Sequence, residues 1–183
     1  MSRSQILTSR AAGSLAAGAM IALMAPAAHA ATASGTFQVQ IEIQKSCTVS
    51  AGAGSNINVG SVASTATNSA GNNTISVTCT KSTPYFIGLA PSAANGGTNS
   101  GSGAMASTGG VAGNTDKVSY QLRSTAGTSG TVWGNTATTS TVGNGVAGTG
   151  NGSAQAHTVY ATVPSANYTA DTYADTVTVT VNY

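Results

Sequence analysis

The chain has 183 residues, room for one domain, and only 5% of them are charged, against about 25% in ordinary soluble domains. Six Lys and Arg against four Asp and Glu, a formal net charge of +2, leave too few cations to neutralise a phosphate backbone. That excludes a basic-patch nucleic-acid binder, and the shortage of Glu, Lys and Leu excludes a coiled coil. Intrinsic disorder fits poorly too, because it needs a high net charge beside the low content of large apolar residues.

The amino terminus has the layout of a secretory signal peptide over residues 1–30. Arg3 and Arg10 bracket the positive region. An uncharged stretch, Ala11 to Ala28, follows with Leu15, Met20, Ile21, Leu23 and Met24, and Pro26 breaks it. Ala28-His29-Ala30 is a small-x-small site, placing cleavage between Ala30 and Ala31. The apolar part is shorter than the ~20 residues that a membrane-spanning helix needs. No later stretch reaches that length, so no lipid-spanning segment is expected after processing. The remaining chain balances Lys45, Lys81, Lys117 and Arg123 against Glu42, Asp116, Asp171 and Asp175, so the surplus charge belongs to the leader. A neutral, charge-poor surface tolerates self-association.

From Ala31 onward there are 27 Thr and 15 Val but two Leu, Leu89 and Leu122, a composition suited to pleated surfaces rather than helices. The expected class is all-β. Phe37, Val39, Ile41 and Ile43 alternate with Gln38, Gln40, Glu42 and Gln44, the pattern of a strand with one apolar face. Weaker candidates follow at Cys47–Ser50, Asn56–Val62, Thr74–Thr80, Tyr85–Ala90, Val118–Arg123, near Val132-Trp133 and at His157–Val163. The last strand is again clear, with Val177, Val179, Val181 and Tyr183 alternating with Thr176, Thr178, Thr180 and Asn182. Seven to nine short strands with turn signals between them indicate a β-sandwich. The Gly-, Ser- and Asn-rich stretches 92–114 and 134–152 are expected as long exposed loops.

Cys47 and Cys79, an even pair in an exported chain, are expected to form one disulfide. Little else carries chemistry. His157 is the one histidine after processing and sits in an alternating stretch, with no G-x-S-x-G elbow elsewhere. No catalytic residues, metal site or cofactor are expected. Asp171 and Asp175 lie in the turn-like segment TADTYADTV and are expected to cap turns through their own backbone. A calcium site there lacks ligand density. Trp133, Tyr85, Tyr120, Tyr160, Tyr168 and Tyr173 either fill core and edges or form a sugar-stacking face.

The two ends carry the strongest signal. GTFQVQIEIQKSC follows the cleavage site as an extension in need of an apolar groove, and the chain stops on Tyr183 in mid-strand. A sandwich short of its last strand exposes an open edge that another chain's strand can cover, which is donor-strand complementation. The stretch SGTFQVQIEIQKSCTV, the cysteine of SVTCT and the ending YADTVTVTVNY resemble the spore coat protein U (SCPU) domain. In particular they resemble the major subunits of archaic, Csu-type chaperone–usher pili.

The resemblance implies an incomplete immunoglobulin-like sandwich with a donor extension over 31–46 and an acceptor domain over 47–183. It implies a secreted subunit that a periplasmic chaperone carries to an outer-membrane usher. There it would polymerise with identical subunits into a surface fibre serving adhesion and biofilm formation. Phe37, Val39, Ile41 and Ile43 would be donor knobs, Val177, Val179, Val181 and Tyr183 would line the acceptor groove, and Cys47–Cys79 would be the disulfide. The alternatives are a secreted coat protein of the same fold that covers its own groove, and a carbohydrate-binding module.

Overall fold

A computed structural model of the protein describes residues 30–183. The leader expected over residues 1–30 lies outside the described residues, Ala30 excepted. The chain divides into two units, Met1–Ile41 and Glu42–Tyr183. In the first, residues 30–41 carry no regular secondary structure, and the same is true of 42–46 at the start of the second.

The second unit is all-β. Its strands are β1 (Cys47–Ser50), β2 (Thr67–Cys79), β3 (Pro84–Pro91), β4 (Ser102–Ser107), β5 (Lys117–Arg123), β6 (Val146–Thr149), β7 (Ala154–Ser165), β8 (Tyr173–Ala174) and β9 (Val177–Asn182). Short 3-10 turns occupy Ala53–Ser55 and Ala93–Asn95. One sheet has the order β1-β2-β7-β5-β4-β8 and the other β6-β3-β9, with every pairing antiparallel. The long β2–β7 pair, from Thr67↔Ser165 to Thr78↔Ala154, is the spine of the larger sheet.

Alternation puts one face of each sheet into a shared core. Ile75 and Val77 of β2, Val118, Tyr120 and Leu122 of β5, and Val159, Ala161 and Val163 of β7 meet Tyr85, Ile87 and Leu89 of β3. Trp133 is buried among them, its indole N–H donating to the Ile87 carbonyl at 2.9 Å. Cys47 and Cys79 form the disulfide at a paired position, linking β1 to β2. Closing a loop of this size stabilises by roughly 3–4 kcal/mol in the chain-entropy account.

Several expected elements differ. The alternating stretch Phe37–Ile43 is not part of a sheet, and Asn56–Val62 carries no regular secondary structure. The region of Val132 makes a lone bridge to Arg123. The stretches 92–114 and 134–152 are not loops throughout, since β4 lies in the first and β6 in the second. Small residues hide these strands. A Cβ on Gly103 would lie 2.6 Å from the Cβ of Pro91 and 2.9 Å from the hydroxyl of Tyr120, and one on Gly148 would collide with the ring of Tyr85. These glycines are where backbone must approach a neighbour closely.

Candidate functional site

The free edge of β9 is the structural feature from which the site is built. β9 pairs with β3 on one side, in the register Gly88↔Thr180, Leu89↔Val179 and Ala90↔Thr178. The Leu89 N–H donates to the Gly134 carbonyl at 2.9 Å, and the Ile87 carbonyl accepts from Trp133, so the polar groups of these two residues face away from β9. In an antiparallel pair bonding alternates along the strand. Thr178, Thr180 and Asn182 therefore bond to β3, while the N–H and C=O of Val177, Val179 and Val181 point to the other edge. Among the described residues no strand occupies that edge.

A groove opens beside it, with a cavity of about 480 Å³. Val177 and Val179 line it together with Ile57 and Val59. The side chain of Asn73 holds the segment before Ile57 in place, its Nδ2 donating to the carbonyls of Gly54 at 3.0 Å and Asn56 at 2.8 Å. Ile75, Leu89, Leu122, Val159, Ala161 and Val163 contribute the floor. A second cavity of about 890 Å³ shares Ile57, Val59, Met105 and Val163 and continues past Tyr168 and Tyr173. Ile57 and Val59 are half-buried and alternate with exposed neighbours, and they take part in no ladder. The groove is apolar inside and edged with unpaired backbone groups, which is what an incoming strand with one apolar face requires.

Val177, Val179 and Val181 are half-buried against the core, and the first two line the cavity. Val181 is at the opposite end of β9, and Tyr183 lies beyond the strand, 47% exposed. The expected donor residues are the most exposed large apolar side chains described, with Phe37 at 88%, Val39 at 90%, Ile41 at 83% and Ile43 at 76%.

Asp171 adds long-range bonds to one local bond, and Asp175 makes long-range bonds in place of the expected local capping. Asp175 accepts from the Asn95 side chain at 2.8 Å, the Tyr120 hydroxyl at 2.7 Å and the Ser92 N–H at 3.3 Å, all distant in sequence. It pins the corner before β9 to both sheets at the mouth of the groove. Burial and then the Asp175 carboxylate raise the pKa of Tyr120, so the phenol stays protonated and donates. Asp171 accepts from Ser107 at 2.6 Å and Asn114 at 2.8 Å, and also from the adjacent Thr172 N–H at 2.8 Å. The bonds from Ser107 and Asn114 hold its carboxyl below the usual range. No single residue type could announce these pairings in the sequence, because all but the Thr172 bond join segments more than fifty residues apart.

Trp133, Tyr85 and Tyr120 are buried, so they are core residues and present no sugar-stacking face. His157 approaches the Tyr85 hydroxyl at 2.9 Å. Among the described residues no group of three or more His, Cys, Asp and Glu is placed to hold a metal, and no helix is long and apolar enough to cross a membrane.

Burial lowers the pKa of His157. Between that depressed value and the ordinary ~6.5, the unfolded chain binds more protons than the folded one, so stability falls as pH drops through this window. Urea midpoints measured from pH 7.5 to 5.5 should decline, and His157→Gln should flatten the decline. An unchanged slope would place the titrating group elsewhere.

The Spore Coat Protein U domain family matches residues 33–180, from within the extension to near the end of β9. No curated protein matches the chain. Among solved structures, a similar chain is in the CsuC–CsuE chaperone–tip adhesion subunit pre-assembly complex from archaic chaperone–usher Csu pili of Acinetobacter baumannii. It is 20% identical with a TM-score of 0.44 over 77% of this chain, which spans 40% of that one.

Proposed function

The chain belongs to the Spore Coat Protein U domain family, and from that premise we propose that it is a structural subunit of a surface fibre, polymerised by donor-strand complementation. Residues 31–46 are the donor extension and 47–183 the acceptor domain. Phe37, Val39, Ile41 and Ile43 of one copy enter the groove of the next. They pack on the core residues under β9 while their backbone pairs with Val177, Val179 and Val181. Paired residues of a ladder project to the same face, so the free-edge valines and the incoming knobs share one register.

The observation that carries this reading is the coexistence, in one chain, of an open apolar groove with four exposed apolar residues at period two. Each exposed side chain gains about 1.5–3 kcal/mol when fully buried, and each ladder bond adds about 0.5–1.5 kcal/mol net. Until that happens the open edge is an aggregation hazard. Transit therefore needs a periplasmic chaperone that covers it and an outer-membrane usher where it is exchanged for the next subunit. The fibre then stands on the cell surface, in attachment and biofilm formation.

Protein recovered from the cell surface and run unheated in detergent should form a ladder of multimers. Strong heating with denaturant should collapse the ladder to monomer. A single monomer band under both conditions overturns the proposal and favours a coat protein that covers its own groove.

A further inference from the structure

We infer that Thr80 sets the direction in which the extension leaves the sandwich, and so keeps it from folding back into its own groove. This rests on the donor-strand reading and adds a residue that selects the partner: a second copy of the chain rather than the chain itself.

Thr80 bonds to the base of the extension at several atoms. Its backbone N–H donates to the Ser46 carbonyl at 2.9 Å, which continues the β1–β2 ladder one pair past Cys47↔Cys79. Its hydroxyl accepts the Ser46 N–H at 3.1 Å and has the Gln44 carbonyl at 3.2 Å and the Ser46 carbonyl at 3.3 Å to donate to. Residues 44–46 are thereby held in line with β1 beyond the end of its sheet.

That end is also where β9 finishes. β2 ends at Cys79, opposite Cys47, and the turn to Pro84 brings Phe86 opposite Asn182. A self-filling extension would have to reverse there and run back along β9 toward Val177. At about 3.3 Å per residue, Val177 to Asn182 spans about 17 Å and Phe37 to Ile43 about 20 Å. If the reversal used residues 44–46, all four knobs would enter the chain's own groove. Held in line, Gln44 already stands about 10 Å past Cys47. A two-residue reversal and the return then use residues 43 to 39, leaving Phe37 alone at the mouth. The clamp puts the other three knobs out of reach of their own groove and leaves them free for a neighbour.

The test compares the full exported chain with Thr80→Val, which keeps volume and β-branching but removes the hydroxyl, and Thr80→Ser, which restores it. Thr80→Ala is a second deletion of the hydroxyl, should valine impair folding. The two exposed bonds of the hydroxyl amount to about a tenfold shift. The monomer-to-multimer ratio should therefore rise about tenfold for Val and Ala, with Ser like the parent. In the variant monomers the amides of residues 37–43 should become protected from hydrogen exchange, a change that mere loosening would not produce. A parent ladder with Thr80→Val and Thr80→Ala indistinguishable from it overturns this inference alone. A parent that forms no ladder overturns the donor-strand reading, and this inference with it.

Discussion

Ile41→Asp together with Ile43→Asp should abolish the polymer while leaving the fold of each subunit intact. The two isoleucines are 83% and 76% exposed, and exposed positions of this kind usually change stability by no more than about 0.5 kcal/mol. A thermal or urea melt of the monomer should therefore match the parent. In the proposed junction the same two side chains enter an apolar groove. Losing their burial removes about 3–6 kcal/mol, and each carboxylate adds a desolvation cost of several kcal/mol. Even the lower sum shifts each junction by more than about 10⁴-fold. Unheated detergent gels should show monomer alone, and equilibrium melts should show an unshifted midpoint. A surviving ladder would mean that the subunits are held together elsewhere. A lowered melting point would mean that these residues stabilise their own sandwich, as the self-covered coat protein requires.

What the sequence revealed, and what it concealed, follows from how each segment is stabilised. β9 was legible because its alternation puts one apolar face against the core, whereas β1, a weaker candidate, has only Cys47 partly buried. β1 appears with the bounds the pattern predicts, and β9 ends one residue before Tyr183. Phe37–Ile43 has the same pattern and is no strand, because a strand needs a neighbour and periodicity cannot say from which chain it comes. Asn56–Val62 is likewise no strand: Ile57 and Val59 line the groove, and among the described residues they pair with no strand. β4 and β6 were concealed for the opposite reason. Their glycines read as loop composition, whereas Gly103 and Gly148 are small because Tyr120 and Tyr85 lie against them. The cysteine pair was legible by number alone. The long-range bonds of Asp175 and the clamp of Thr80 were not, since a polar residue in a turn carries no mark of the distant partner it will meet.

Trp133→Ala should be the most damaging single change in the acceptor domain, and it separates core function from surface function for the one tryptophan. The side chain is 1% exposed, and its N–H satisfies the Ile87 carbonyl at 2.9 Å. Removing a buried indole costs about 3–5 kcal/mol, and the orphaned carbonyl about 1–3 kcal/mol more. The sandwich carries an open groove beside this same core, so little of a typical 5–15 kcal/mol stability would remain. For a domain of this size each kcal/mol is worth about 2–4 °C, so the melting temperature should fall on the order of 10–20 °C. Trp133→Phe keeps most of the bulk and loses the hydrogen bond, and should fall between the two. Occupation of the groove adds stability by linkage; the deficit should thus shrink when a peptide spanning residues 35–46 is supplied at saturating concentration. A stable Trp133→Ala protein would contradict the packing described for β3 and β5. A peptide that binds without raising the melting temperature of either form would contradict the groove as the proposed seat of a donor strand.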